Sequence, residues 1–184
     1  MMATATGLLT AEDFAALPHD SLRLELVRGE IRARAPGFGD HGVAVMQISY
    51  PIAQHIYMRK LGCVYATGTG FLLSRNPDTV RAPDCAFIQA SRVTPAATAA
   101  FWNPVIPDLV FEVVSSGDRP KAVAEKVSMW LDAGVRLVWV VYPTRREVVA
   151  HRLGQPEATL TERNTLDGLD VIPGFTLPIA DIFD

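Results

Sequence analysis

Cysteine is nearly absent from this chain of 184 residues. The two present, Cys63 and Cys85, form no C-x-x-C pair and have no histidine cluster nearby, so the sequence offers neither a disulfide framework nor a zinc motif. Such usage suits a reducing cytoplasm, the expected location. Long apolar runs are missing too. None approaches the roughly 18–20 residues that cross a bilayer, so no membrane association is expected. The stretch from Met1 to Leu9 has no basic residue before its short apolar patch and passes quickly into Glu12 and Asp13, unlike a secretory signal. The third thing lacking is a surplus of basic charge. The net charge is −3, whereas non-specific affinity for nucleic acid comes largely from lysine and arginine meeting phosphates. Small basic groups do occur at Arg23, Arg28, Arg32 and Arg34, at Arg59-Lys60 and at Arg145-Arg146, and each alone reads as solvated surface charge. A site that holds cations also adds carboxylates to the count, so the total by itself excludes little. No repeat, low-complexity tract or linker interrupts the chain. With 49% of its residues hydrophobic, a single domain over residues 1–184 is expected.

What is present is an alternation of strand and helix patterns. Thr10 followed by Asp13 resembles a capped helix start, and Leu17-Pro18 marks its end. Arg23–Val27 and Ile31–Arg34 alternate polar and apolar residues about Arg28-Gly29-Glu30, a hairpin pattern. From His41 to about Leu61, Val45, Ile48, Ile52 and Ile56 recur at helical spacing, with Pro51 expected to kink or break the helix. Val64–Leu73 and Ala82–Ile88 read as strands, and 91–104 as a loop with one helical turn. Leu109–Val114 is an almost continuous β-forming run, the pattern of a strand buried on both faces. A helix over 121–133 and a second apolar strand, Leu137–Val141, complete a βαβ crossover in a mixed sheet, with Val148–His151 as hairpin partner of the second strand. The tail reads as turns and a last helical turn over 179–183.

Three charged residues break these patterns. Glu112 shares a pleat face with Val110 and Val114 inside the apolar run, where an ionised carboxylate costs several kcal/mol unless paired, hydrogen-bonded or bound to a cation. It is either a buried glutamate satisfied by an arginine or a metal or catalytic residue. Asp84 begins a strand whose Ala86 and Ile88 share its face, a position that an ordinary strand-starting aspartate also takes. Lys126 falls beside Trp130 on the inner stripe formed with Val123, Val127 and Gly134, the one charge leaning inward. It is either a lysine snorkelling at the stripe's edge or an ammonium presented to the carboxylates. Asp84 and Glu112 as oxygen donors suit Mg²⁺ or Mn²⁺, with water completing the shell, and Lys126 would assist in-line hydrolysis of a phosphodiester. Glu25 is a further candidate ligand, equally readable as an exposed hairpin glutamate.

The residues Arg23–Glu30, Asp40-His41-Gly42, Arg81–Phe87, Pro107–Ser115, Glu125-Lys126, Ala133–Val141, Leu166-Asp167-Gly168 and Val171–Phe175 together resemble the Uma-two family, over nearly the whole chain. The resemblance implies the PD-(D/E)XK nuclease superfamily and an α/β (mixed α+β) fold: a restriction-endonuclease-like core with a central mixed β-sheet flanked by helices. It implies Asp84 in the aspartate position and Glu112 in the acidic position of that motif. The lysine expected two residues later is replaced by Val114, and the family pattern implies that Lys126 takes its role. His41 matches a recurrent family histidine and is otherwise a capping or core histidine. Tyr142, standing where many relatives have aspartate, and Pro51 depart from the pattern.

The expected function is therefore a Mg²⁺-dependent endonuclease, a hydrolase of DNA phosphodiester bonds, with catalytic residues Asp84, Glu112 and Lys126 and metal ligands Asp84 and Glu112. The main alternative is a nuclease-like module that binds nucleic acid or a protein partner without cutting. A metal-dependent hydrolase of smaller substrates is a third. A homodimer is compatible with cutting both strands, although no residue pattern demands one.

Overall fold

The computed structural model describes residues 7–18, 23–34 and 39–184; of the two expectations touching the rest, residues 1–6 of the N-terminal stretch lie outside it, as do the side chains of Arg23 and Arg34 in the first arginine group. The chain opens with α1 (Ala11–Ala15), the hairpin β1 (Arg23–Val27) and β2 (Glu30–Arg34), and the long helix α2 (Gly39–Arg59). Next come β3 (Gly62–Ala66), β4 (Phe71–Ser74), β5 (Thr79–Arg81), β6 (Cys85–Gln89) and α3 (Pro95–Ala99). The crossover β7 (Leu109–Val113), α4 (Pro120–Asp132) and β8 (Leu137–Tyr142) follows, then β9 (Glu147–His151) and β10 (Ala158–Thr161). The chain closes with β11 (Thr165–Asp167), β12 (Thr176–Pro178) and α5 (Ala180–Phe183).

Six strands form the central sheet in the order β10-β9-β8-β7-β6-β3. Only β7 and β8 run parallel, joined by the crossover through the long helix α4; every other neighbouring pair is antiparallel. Alternation along the central strands sorts their side chains onto two faces. Phe87, Leu109, Phe111, Leu137, Trp139 and Val141 pack under α2 and the C-terminal segment, where Phe175, Ile179 and Ile182 complete the core. Ala86, Ile88, Val110, Val138 and Val140 face the other way, toward α4, where Val127 and Trp130 cover them. A four-stranded sheet, β2-β1-β5-β4, stands beside this with α1, its core formed by Ala11, Phe14, Leu26 and Val80.

Several local expectations need correction. The helix α2 runs unbroken through Pro51. One proline in a helix interior costs about 3 kcal/mol, while burying Ile48, Ile52 and Ile56 completely gains roughly 1.5–3 kcal/mol each. The buried stripe of α2 passes through Ala44 rather than Val45, which is half-buried. The apolar stretch 64–73 is not one strand. It divides at Gly68–Gly70 into β3 of the central sheet and β4 of the small one, with β5 as an unforeseen partner of β4. In the first hairpin, Arg28 and Gly29 both have positive φ, 52° and 78°. That is the geometry of a two-residue turn with the twist strands require, and a side chain at 29 would strike Leu8 Cβ at 2.5 Å.

Asp78 ties α1 to the small sheet. Its Oδ2 accepts from the Ala11 amide at 2.8 Å and from Arg75 Nη1 at 2.7 Å, and its Oδ1 from the Asn76 amide at 3.2 Å. Burial pushes this carboxyl up, but the three donors outweigh it and hold it below the ordinary aspartate value of 3.8. The stabilisation is complete above that value and is lost as pH falls through the lower folded one. Asp78→Asn should therefore cost about 1.5–3 kcal/mol at neutral pH, the range for hydrogen bonds to a charged group. In urea melts the gap to the parent chain should close in strong acid; a gap independent of pH would show that the charge is not its source.

Candidate active site

Glu112 lies near the end of β7, the strand flanked by its parallel partner β8 and by β6. Its place on the pleat turns it toward α4, and that helix meets it with two residues one turn apart. Trp130 Nε1 donates to Glu112 Oε1 at 3.0 Å, and Lys126 Nζ stands 2.6 Å from Oε2. Residues four apart share a helix face, so a single face of α4 supplies partners to both oxygens of one buried carboxylate.

Glu25 approaches the same lysine from the neighbouring sheet. It is buried rather than an exposed hairpin residue. Its Oε1 lies 3.7 Å from Lys126 Nζ and accepts from the Ala82 amide at 3.1 Å, while Oε2 accepts from Arg81 Nη1 at 2.9 Å. Arg81 is half of this arrangement, and sequence reasoning missed it. It is the last residue of the short β5, and the signal that could have exposed it is its place three residues before Asp84.

Asp84 precedes β6, and extending the β6–β7 register beyond Cys85 opposite Phe111 sets Asp84 opposite Glu112. Its Oδ2 accepts from the Val113 amide at 2.8 Å and lies 3.3 Å from His41 Nε2 at the start of α2. Burial pushes the Asp84 carboxyl up, but His41, the Val113 amide and the charge of Lys126 together bring it below the ordinary carboxylate range. Its neighbour Cys85 behaves oppositely: burial, with the Asp84 charge adding to it and a bond from Ser49 opposing, pushes its thiol up to about 12. That thiol is no nucleophile at neutral pH.

All six residues, Glu25, His41, Arg81, Asp84, Glu112 and Lys126, are between 2% and 9% exposed. A cleft of about 220 Å³ opens onto Glu25, Arg81, Glu112 and Lys126, with Arg32 and Asp118 at its margin. Asp84 and His41 do not line it. The structure thus brings together Glu112, Lys126 and Glu25 in one cleft, and keeps Asp84 and His41 one strand away. Val114, at the position of the missing lysine, also lines the cleft. Tyr142 lies beyond it and holds the Arg145 guanidinium 3.8 Å above its ring.

A divalent cation can be tested against these groups by donor chemistry. The carboxylates of Glu25, Asp84 and Glu112 face Arg81 and Lys126, with His41 beside Asp84. Their donors are oxygen only. Among the described residues no three His, Cys, Asp or Glu side chains form a metal cluster. A cation there would therefore draw the rest of its shell from water and phosphate, as Mg²⁺ commonly does. By donor chemistry, the carboxylate oxygens of Asp84 and Glu112 suit a hard cation.

A model of the Uma2 family, described as "Putative restriction endonuclease", matches residues 11–180. The chain belongs to the Uma2 family. The family resemblance read from the sequence is thus borne out. No curated protein matches the chain. Among solved structures, a protein from Anabaena variabilis ATCC 29413 described as "a putative nuclease belonging to DUF820" has a TM-score of 0.84 at 18% identity, over 95% of this chain and 97% of that one. At that identity the likeness is one of fold, and it bears out the expected mixed α+β architecture. The family description supports a nuclease. No described helix is long and apolar enough to cross a membrane.

Proposed function

We propose that this Uma2 protein is a metal-dependent endonuclease that hydrolyses DNA phosphodiester bonds at the Glu112–Lys126 cleft. The observation that carries this reading is the buried ion pair itself. Lys126 is held at 2.6 Å from Glu112 at the floor of an open cleft, at a place where an apolar pair would serve the fold as well. Asp84 and Glu112 would hold Mg²⁺ or Mn²⁺. When bound, such an ion supplies charge stabilisation at the phosphate and makes an attacking water more acidic. Lys126 offsets the charge that develops on the phosphoryl oxygens, acting from a site with little competing water. Trp130 holds the Glu112 carboxylate in its plane, and His41 with the Val113 amide holds Asp84 ionised. Glu25 and Arg81 fix the lysine from the opposite side.

Supercoiled plasmid incubated with the protein in Mg²⁺ or Mn²⁺ should be nicked, and EDTA, Asp84→Ala or Glu112→Ala should each stop the reaction. One observation favours the second reading, a module that binds without cutting: Asp84 is withdrawn from the cleft and engaged by the Val113 amide. Intact plasmid together with metal binding by calorimetry would support that reading. Absence of metal binding as well would leave Glu112 a structural carboxylate.

A further inference from the structure

The outer face of α2 departs from the pattern that surface helices follow. A helix on a protein surface buries one stripe and turns charged residues to water. The helix α4 does so, with Lys121, Glu125 and Asp132 exposed. On α2, Ala44, Ile48, Ile52 and Ile56 are buried against the central sheet, and the opposite side carries Val43, Met46, Tyr50, Ala53 and Tyr57. Ala53 is half-buried, and the other four are between 57% and 64% exposed. Between Asp40 and Arg59 the helix holds no Asp, Glu, Lys or Arg at all.

These five residues follow one another at gaps of three, four, three and four. That is the spacing with which one helix presents a continuous seam to another. A face with tyrosine and methionine and without charge also has the composition of the core of a protein–protein interface. The Tyr57 hydroxyl donates to the Val64 carbonyl at 3.4 Å, which sets the ring in place. Beyond Tyr57 the apolar surface runs into an open groove of about 880 Å³, with Cys63, Val93 and Pro95 in its lining.

Charge is confined to the two ends of the helix, and its sign differs between them. Asp40 stands in the first turn and Arg59 in the last, with Lys60 next to it, and all three are exposed. Two copies laid parallel would set acid on acid and base on base. Laid antiparallel about Tyr50, each copy's Asp40 meets the other's Arg59-Lys60 end, and each Val43 approaches the other's Tyr57. The helix dipoles then oppose each other as well. The face is therefore complementary to itself in one orientation only.

We infer that the outer face of α2 is a homodimer interface, in which two copies of this chain pair these helices antiparallel about a twofold axis near Tyr50. The inference does not depend on the nuclease reading. With 21 residues, the helix face measures roughly 30 Å by 10 Å. That is well below the roughly 800 Å² per partner of a stable interface. The groove beyond Tyr57, where the partner's α2 begins, adds to it, and the pair is expected to dissociate at micromolar concentration. Because α2 and α4 cover opposite faces of the central sheet, the two clefts of the dimer open away from each other.

The test is the mass of the full chain by light scattering over a dilution series at low salt. The parent is compared with Tyr50→Glu, with Arg59→Glu/Lys60→Glu, and with that double variant carrying Asp40→Lys. The parent should pass from 20.0 kDa to twice that mass as concentration rises. All four positions are exposed, so each variant should keep the parent's circular dichroism. Tyr50→Glu brings two carboxylates together at the axis and should leave a monomer throughout. Reversing the basic end should weaken the dimer about ten-fold or more, and adding Asp40→Lys should recover most of the loss. A parent chain that stays at 20.0 kDa would overturn the inference and leave the face to another partner. A dimer indifferent to Tyr50→Glu would overturn it too. A dimer lost with Tyr50→Glu but untouched by reversal of the basic end would overturn the antiparallel order.

Discussion

Lys126→Met should abolish plasmid nicking and cost about 3–5 kcal/mol in denaturant melts, the range for removing one partner of a buried ion pair. Methionine retains most of the aliphatic stem beside Val127 and Trp130, so the loss comes from the ammonium rather than from packing. Without it, Glu112 keeps the indole donor of Trp130 but loses its counter-charge, and Glu25 loses its second cation. Adding Glu112→Gln to Lys126→Met should return much of the stability and none of the cleavage. That divergence identifies a pair retained for chemistry, since a purely structural pair has no activity to lose. Metal binding measured by calorimetry should survive Lys126→Met; nicking at the parent rate would make the lysine structural only.

Arg81→Met should cost a similar amount, about 3–5 kcal/mol, because it strips Glu25 Oε2 of its partner in a site only 3% exposed. Here the compensating change is Glu25→Gln, and the double variant should recover most of the loss. A double-mutant cycle in urea gives the coupling directly, and a coupling near zero would mean that Arg81 serves its contact with Met129 instead. The two cycles also separate the roles. Glu25–Arg81 joins the two inner strands of the small sheet and positions the lysine, so the folded double variant should nick plasmid more slowly, whereas the Lys126–Glu112 double variant should not nick it at all.

How much of this was legible beforehand follows from the kind of signal each residue carries. Glu112 stood out because a charge in an apolar run violates the burial rule, and Lys126 because helical spacing placed it beside Trp130. The crossover from Leu109 to Val141 was readable for the same reason: its strands are long and its periods clean. Arg81 was hidden because β5 has only three residues, too few for alternation to declare a face. The strands β10, β11 and β12 were missed because they are short and mostly solvent-facing, so they carry little apolar pattern. Gly134 was read as part of the inner stripe of α4 but lies exposed past its end.

The packing of α5 beneath α2 also sets the order in which this molecule can be made. Ile48 and Ile182 belong to one core, yet most of the chain lies between them. While the chain is emerging from the ribosome, the apolar face of α2 is complete long before the residues that finally cover it. Until they arrive, Ile48, Ile52 and Ile56 can rest only on the strands already synthesised, leaving part of their surface to water or to chaperones. Contacts this distant in sequence carry a loop-closure entropy that local ones do not, so α5 is expected to dock after the central strands have paired.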